Sequence, residues 1–434
     1  AAKALNIDGG MTLSHADTVT LNSQTNVGTA FLSGGAGGFT LSTTGTLSAD
    51  SAALTHNGAV SLAGPVQIVN GFSSGGNGTF AIAAGGSIDA GGAVGVNHTG
   101  AITLTGAIEG ASVSLQTGAT TATAINATTA AAVLTATTGD LTLTSAGGMS
   151  LANATLNGTG AASDVILQSG SQAVVVGVVT TTGDFMSSGG STFATTTGKA
   201  LNISGGVTLA HAGTVTLNSL TNVGADFISG GAGGFTQAAS TLLDVTGKVD
   251  LDHNGAVALN GSVQADGDFT SHGSGTFTQG TGALLDAANV TLGHGGAVSL
   301  AGTTTSDNVF NSTGAGTFAI ATGGSIDAVG AVGVNHTGAI TLAGGIEGSS
   351  VALQTGANVA AAIDAASATA ILTATTGNLT LTSAGGMALA NATLNGNGVA
   401  SDVILNSGNQ AVTVGVVTTT GDFSSTGGST FATT

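Results

Sequence analysis

A repeat governs this chain. The stretch from Phe31 to Phe39 returns as Phe72–Phe80, Phe185–Phe193, Phe227–Phe235, Phe269–Phe277, Phe310–Phe318 and Phe423–Phe431. Every copy fits Phe-x-Ser-x-Gly-x-(Gly/Ser)-(Gly/Thr)-Phe, and the copies together use all 14 phenylalanines of the 434 residues. A second marker, His-x-Gly-x-(Val/Ile)-x-Leu, keeps step at His56, His98, His211, His253, His294 and His336; His15 begins a variant with Asp17 in place of the glycine. Most successive markers lie 41 or 42 residues apart. A repeat of that length means stacked supersecondary units, each needing its neighbours to bury a core.

Composition decides what the units are made of. Lys, Arg and Glu are nearly absent, while Gly (75 residues), Ser, Thr and Asn fill the chain. These are poor helix formers. Short alternations such as Met11-Thr-Leu13 and Thr18-Val-Thr-Leu21, broken by Gly, Asn and Asp, read as strands of about three to five residues. There is one proline, Pro65, and no cysteine. Stability must therefore come from backbone ladders and packing, and a ladder tolerates little proline.

Two longer steps interrupt the count. Phe72 to Phe185 and Phe310 to Phe423 are each 113 residues. Inside the first, Thr137-Thr-Gly139-Asp-Leu-Thr-Leu143 aligns with His98-Thr-Gly100-Ala-Ile-Thr-Leu104, and Ser169–Val175 is a weaker echo. The block therefore reads as diverged units of the same kind. Above the units lie two large repeats, 1–196 and 197–434, the second with one extra 42-residue unit. The expectation is a single continuous solenoid over 1–434. Thr434 matches Thr196, after which Lys199-Ala-Leu repeats Lys3-Ala-Leu, so the residues are expected to be cut from a longer tandem array.

A 41–42-residue unit could be one propeller blade or two solenoid rungs. The Trp-Asp signature is missing, as is the leucine-rich consensus. A half-unit similarity, Leu13-Ser-His15 against Phe39-Thr-Leu41-Ser42, favours two rungs. The predicted fold is all-β, a right-handed parallel β-helix with about two rungs per repeat. The paired phenylalanines are expected to flank one corner with both rings inward. The alternative, exposed platforms for stacking sugars, would not require so strict a register with Ser and Gly.

Equivalent histidines two rungs apart stand about 10 Å from each other, too far to share a metal. They are expected to be structural, at a corner or on the outer face, hydrogen-bonded to the next rung. The calcium-binding nonapeptide fails because Phe39 stands where Asp is required. Asp250, Asp252, Asp266 and Asp268 form the densest acidic cluster and could hold at most an adventitious ion. Gly71-Phe72-Ser73-Ser74-Gly75 matches Gly-x-Ser-x-Gly but lacks the strand–helix elbow. Glu109 and Glu347 are the only glutamates, with no fixed acid–base partner evident, so no enzyme, cofactor or metal is expected. Three Lys/Arg against 21 Asp/Glu argues against nucleic acid. No apolar run of about 20 residues suggests a transmembrane helix. Asn97 and Asn335 head Asn-x-Thr triplets. Thr18-Val-Thr20, Thr214-Val-Thr216 and Thr142-Leu-Thr144 raise an ice- or surface-binding alternative.

The pattern Val290-Thr-Leu…His294-Gly-Gly-Ala-Val298-Ser-Leu300 resembles the β-helical shafts of filamentous-haemagglutinin-like exoproteins and autotransporter adhesins. The likeness covers nearly the whole chain through its composition and period; the family's Asn-rich secretion motifs are not found. It implies a secreted, extracellular or surface-attached shaft used in adhesion, biofilm or cell–cell contact. Its partners would be copies of itself, or of the same long chain, and cell-surface glycans or proteins. A self-assembling fibre, joined laterally or end to end, is the competing version.

Overall fold

The structure, a computed structural model, describes residues 3–434. Among them there is no helix, and so none long and apolar enough to cross a membrane. Packing resolves two compact units, Ala1–Gly224 and Ala225–Thr434. Each is a β-solenoid of stacked parallel coils, about 20 in the two together.

One coil of the first unit shows the plan. Phe72–Gly76 forms a five-residue strand, Phe80–Ile82 a three-residue strand and Ser87–Ala90 a four-residue strand; Val94–His98 then starts the next coil. We call the ladders these strands join face I, face II and face III. Phe72 pairs with Val94, Phe80 with Ile102 and Ser87 with Ala107, all in parallel. The second unit repeats the plan: Phe227 pairs with Val249, Phe235 with Val257 and Leu242 with Ser262. The repeat does hold two coils, since Phe31 pairs with Ala52 and Ala52 with Phe72.

Alternation explains the motif. In Phe72–Gly76 the first and third residues are buried and the second exposed, as the two-residue period of a strand requires. Phe-x-Ser-x-Gly is thus an inward triplet with outward spacers. Twelve of the fourteen phenylalanines are at most 2% exposed; Phe423 and Phe431, in the last coil, are 41% and 46% exposed. In four of the Phe coils the two rings meet edge-on, as Phe31 and Phe39 do with centroids 6.0 Å apart; the Phe185–Phe193 and Phe423–Phe431 pairs are tilted. Between coils, phenylalanine rests on a smaller residue: face I of the second unit reads Phe227, Val249, Phe269, Val290, Phe310, Val332. Each buried ring contributes roughly 2–3 kcal/mol.

Glycine is required where the Phe coil turns from face I to face II. Gly76 has φ of 152°, and a Cβ there would stand 1.7 Å from the His56 carbonyl oxygen. Gly35 is alike, 1.7 Å from the His15 oxygen.

The 113-residue blocks are coils of the same ladders, but one alignment moves. Leu141–Ser145 lies on face I, paired with Val113–Thr117, whereas Ile102–Leu104 lies on face II. The likeness of Thr137–Leu143 to His98–Leu104 therefore joins different faces. The true counterparts of His98 are Thr117, Ser145 and Ser169, which follow it in register. The Ser169 echo is correctly placed. In the block the face II–III corner also disappears: Met149–Gly158 is one ten-residue strand running through both faces, with a register shift between Leu151 and Thr155.

Candidate functional site

The most chemically loaded column lies where face I turns into face II. His56, His98, His211, His253, His294 and His336 end their face I strands and are at most 1% exposed. They sit at the corner, as expected, but point inward; the outer-face placement is corrected. The reason is the glycine of the adjoining Phe coil: Gly76 pairs with His98 and Gly273 with His294, leaving room for an imidazole. His15, in the first described coil, is exposed.

Each buried imidazole has a partner that sequence reasoning missed. The serine of the Phe motif lies 2.9 Å from Nε2 in all six: Ser33–His56, Ser74–His98, Ser187–His211, Ser229–His253, Ser271–His294 and Ser312–His336. On the other side, Nδ1 of His56, His98 and His336 faces a glycine carbonyl at 3.2 Å, and that of His253 one at 3.3 Å. A carbonyl only accepts, so Nδ1 carries the proton and the serine hydroxyl donates to Nε2. The signal was present in the sequence as the fixed step between Phe-x-Ser and the following histidine.

Burial pushes all six imidazoles below the ordinary histidine range, His211 and His294 to about 4. The carbonyls of Ser191 and Gly275 favour protonation of these two. No hydrogen bond of sound geometry closes to either Nδ1, however, so desolvation dominates.

A serine bonded to a histidine invites comparison with a nucleophile and its base. Here both members are sealed in the interior, and Nδ1 meets a backbone carbonyl rather than a carboxylate. The pair cannot meet a substrate. It satisfies the polar atoms of a buried corner.

The remaining candidates disperse. Among the described residues no three His, Cys, Asp or Glu side chains converge as a metal site would require. Asp250 and Asp252 point out from face I, where Lys248 and His272 lie 3.7 and 3.4 Å from them. Asp268 sits at the face III–I corner and accepts from Asn289 Nδ2 at 2.7 Å. Ser73 of Gly-x-Ser-x-Gly is an outward residue of face I, with no helix after it. Asn97 and Asn335 are exposed on face I.

Glu109 and Glu347 do have carboxylate neighbours, contrary to the sequence reading. Asp89 stands opposite Glu109 and Asp327 opposite Glu347 on face III. The residues of both pairs are exposed on an open sheet, which leaves them in water rather than in a desolvated cleft.

The threonine motifs fall on two faces: Thr20 and Thr216 face outward on face II and Thr142 and Thr144 on face I. On face II the column runs Thr20, Thr40, Ser61, Ala81, Thr103, so no unbroken threonine array forms.

A second polar device lies at the face III–I corner, in Asp residues just ahead of the inward hydrophobe. Asp140 accepts from the Asp164 amide at 3.0 Å, and Asp164 from the Asp184 amide at 2.7 Å. In the second unit Asp226 accepts from Lys248 N at 3.0 Å and Asp402 from Asp422 N at 2.8 Å. The signature Gly/Ser/Ala-Asp-hydrophobe (Gly183-Asp184-Phe185, Ser163-Asp164-Val165) could have revealed it.

Comparison with protein-family models, curated proteins and solved structures returns no match. The likeness to haemagglutinin-like shafts therefore rests on the repeat pattern alone.

Proposed function

We propose that this chain is a non-catalytic structural element, a shaft whose work is to stack. The observation that supports this best is where its unusual side chains go. The Phe motif, its serine and the corner histidine are consumed in the interior, joining each coil to the next. What faces out is mostly Ser, Thr, Asn, Asp and other short residues, with aliphatics such as Val69, Val329 and Val399 scattered among them. With a net charge of −18, the exterior repels its like and resists clumping.

On the resemblance drawn from the repeats, the shaft belongs to a secreted or surface-attached bacterial filament serving adhesion, biofilm or cell–cell contact. Copies of itself are its first partners, and surface glycans or proteins its more distant ones. The test is twofold. Incubation with a polysaccharide panel is expected to release no product; cleavage lost in Glu109→Gln or Glu347→Gln chains would overturn the non-catalytic reading. Limited proteolysis of the native chain is expected to leave the coils uncut, and rapid digestion throughout would contradict the shaft reading.

A further inference from the structure

Asparagine followed by glycine is prone to close on itself, because a glycine nitrogen has no neighbouring side chain to block the ring. Eight asparagines of this chain precede glycine: Asn57, Asn70, Asn77, Asn157, Asn254, Asn260, Asn395 and Asn397. The coils restrain seven of them. Gly58 and Gly255, at the face I–II corner of coils that carry histidine, donate their amides to Gly37 O and Gly233 O at 3.0 Å. Gly158 and Gly396 end ladder strands and are buried. Gly261 and Gly398 are buried as well, which keeps water from taking the amide proton. Asn70 donates through Nδ2 to the Asp50 carboxylate at 2.9 Å, and that charge opposes the anion formed on attack.

Asn77 escapes each restraint. It is exposed and Gly78 is half-buried. Among the described residues nothing accepts the Gly78 N–H. The cause is the two-coil rhythm of this corner. Gly58 and Gly100, in histidine coils, give their amides to Gly37 and Gly78 of the Phe coils at 3.0 and 3.1 Å; Gly37, Gly78, Gly275 and Gly316 give none back. The other three of these Phe corners carry Ala36, Ser274 and Ala315 where this one has asparagine. The side chain of Asn77 has only a neutral partner, Asn57 Oδ1 at 3.3 Å.

We propose that Asn77 is a self-modification site. The Gly78 nitrogen, its proton lost to water, attacks Asn77 Cγ. The new N–Cγ bond closes a five-membered succinimide, the Cγ–Nδ2 bond breaks, and Nδ2 leaves as ammonia. Water then opens the ring at either carbonyl, giving aspartate or isoaspartate; nothing is oxidised or reduced. Either product adds a negative charge to the net −18 of the chain. Isoaspartate also puts an extra carbon into the main chain, beneath the Thr99 hydroxyl and the Gly100 amide, which donate to Asn77 O at 2.7 Å and Gly78 O at 3.1 Å. This corner loosens with age while its neighbours hold. The inference goes beyond the shaft reading and does not depend on it.

The experiment ages the folded chain in mildly alkaline buffer and follows each asparagine by peptide mass spectrometry, with an isoaspartyl methyltransferase assay for the rearranged product. Asn77 is expected to convert at least tenfold faster than Asn57, its neighbour on the preceding coil, and the other six to stay with Asn57. In denaturant, where the coils are gone, all eight are expected to converge to within several-fold. Ala315→Asn, ahead of Gly316 in a Phe coil, should convert like Asn77. Thr337→Asn should not, because the following Gly338 donates its amide to Gly316 O at 3.2 Å. Both substitutions replace exposed residues. Asn77 no faster than Asn57 in the folded chain would overturn the proposal. So would a spread of rates that persists in denaturant, or a Thr337→Asn chain that converts as fast as the Ala315→Asn chain.

Discussion

The two-coil repeats and the 113-residue blocks fill the same coils in two ways. In the repeats, a coil with Phe, Ser and Gly inward alternates with one carrying Val or Ala, Leu or Val, and His. Large rests on small, and the imidazole occupies the space the glycine leaves. In the blocks, middle-sized residues stack on face I. Face I reads Val113, Leu141, Val165 in the first unit and Val351, Leu379, Val403 in the second. The corner there holds Thr117, Ser145 and Ser169 instead of Gly and His.

Alternation imposes a period of two coils; uniform packing does not. From Phe72 the ladder runs through Val94, Val113, Leu141 and Val165 to Phe185, an odd number of steps. The aliphatic coils allow this because each fits either neighbour. Interiors are packed closely enough for such volume rules to matter.

The largest expected break in this comparison comes from the rings. Phe277→Ala should cost about 3–5 kcal/mol in denaturant unfolding of its unit. The reverse test, Leu143→Phe, places a ring where no small residue faces it and should cost about 1–3 kcal/mol by overpacking. A Leu143→Phe chain as stable as the parent would show that the blocks are not uniformly filled.

Acid separates the regions next. Residues 99–210 and 337–434 contain no histidine. An unfolded imidazole gains its proton below about 6.5, whereas buried His211 and His294 gain theirs only near 4. Between those values the unfolded chain holds more protons, so stability falls as pH drops from 6.5 toward 4 and is not further reduced below. Discounted for residual solvent screening, each of these two histidines should account for about 1–3 kcal/mol. Hydrogen exchange, corrected for intrinsic rates, should show the His coils losing protection at pH 4.5 while the blocks keep theirs. Equal loss in both would sink the assignment.

Smaller effects sharpen the corner. Ser229→Ala strands the Nε2 of His253 and should cost about 1–3 kcal/mol, whereas Ser73→Ala, outward on face I, should cost almost nothing. Gly76→Ala should destabilise measurably; Gly95→Ala, where a Cβ meets nothing within 4 Å, should not. Smallest of all, Ala162 and Ala400 in the blocks hold φ of 56° and 58° where glycine is at ease. Changing either to Gly should raise the melting temperature slightly, by relief of about 1 kcal/mol.

The coils and the inward phenylalanines were legible because the two-residue alternation and the 41–42-residue period are properties of the chain itself. The Ser–His bond was not read, although both residues stood in the markers, because it links residues 23 or 24 apart, such as Ser33 with His56 and Ser74 with His98. Pairing them needs the coil length, which only the register supplies. The inward turn of the histidines was hidden for the same reason: it depends on a glycine in the adjoining coil. The Thr137–Leu143 alignment went to the wrong face because faces I and II carry the same alternation, and Leu141-Thr-Leu143 cannot say which it is on. The Asp89–Glu109 neighbourhood likewise appears only once coils are laid on one another.

Electron cryomicroscopy at a resolution that separates layers about 4.8 Å apart tests the central claim most directly. In the second unit it should show parallel layers with Phe269 lying between Val249 and Val290, and Ser271 joined to His294. Antiparallel hairpins, helices, or phenylalanine rings turned to solvent in the middle of the stack would contradict it.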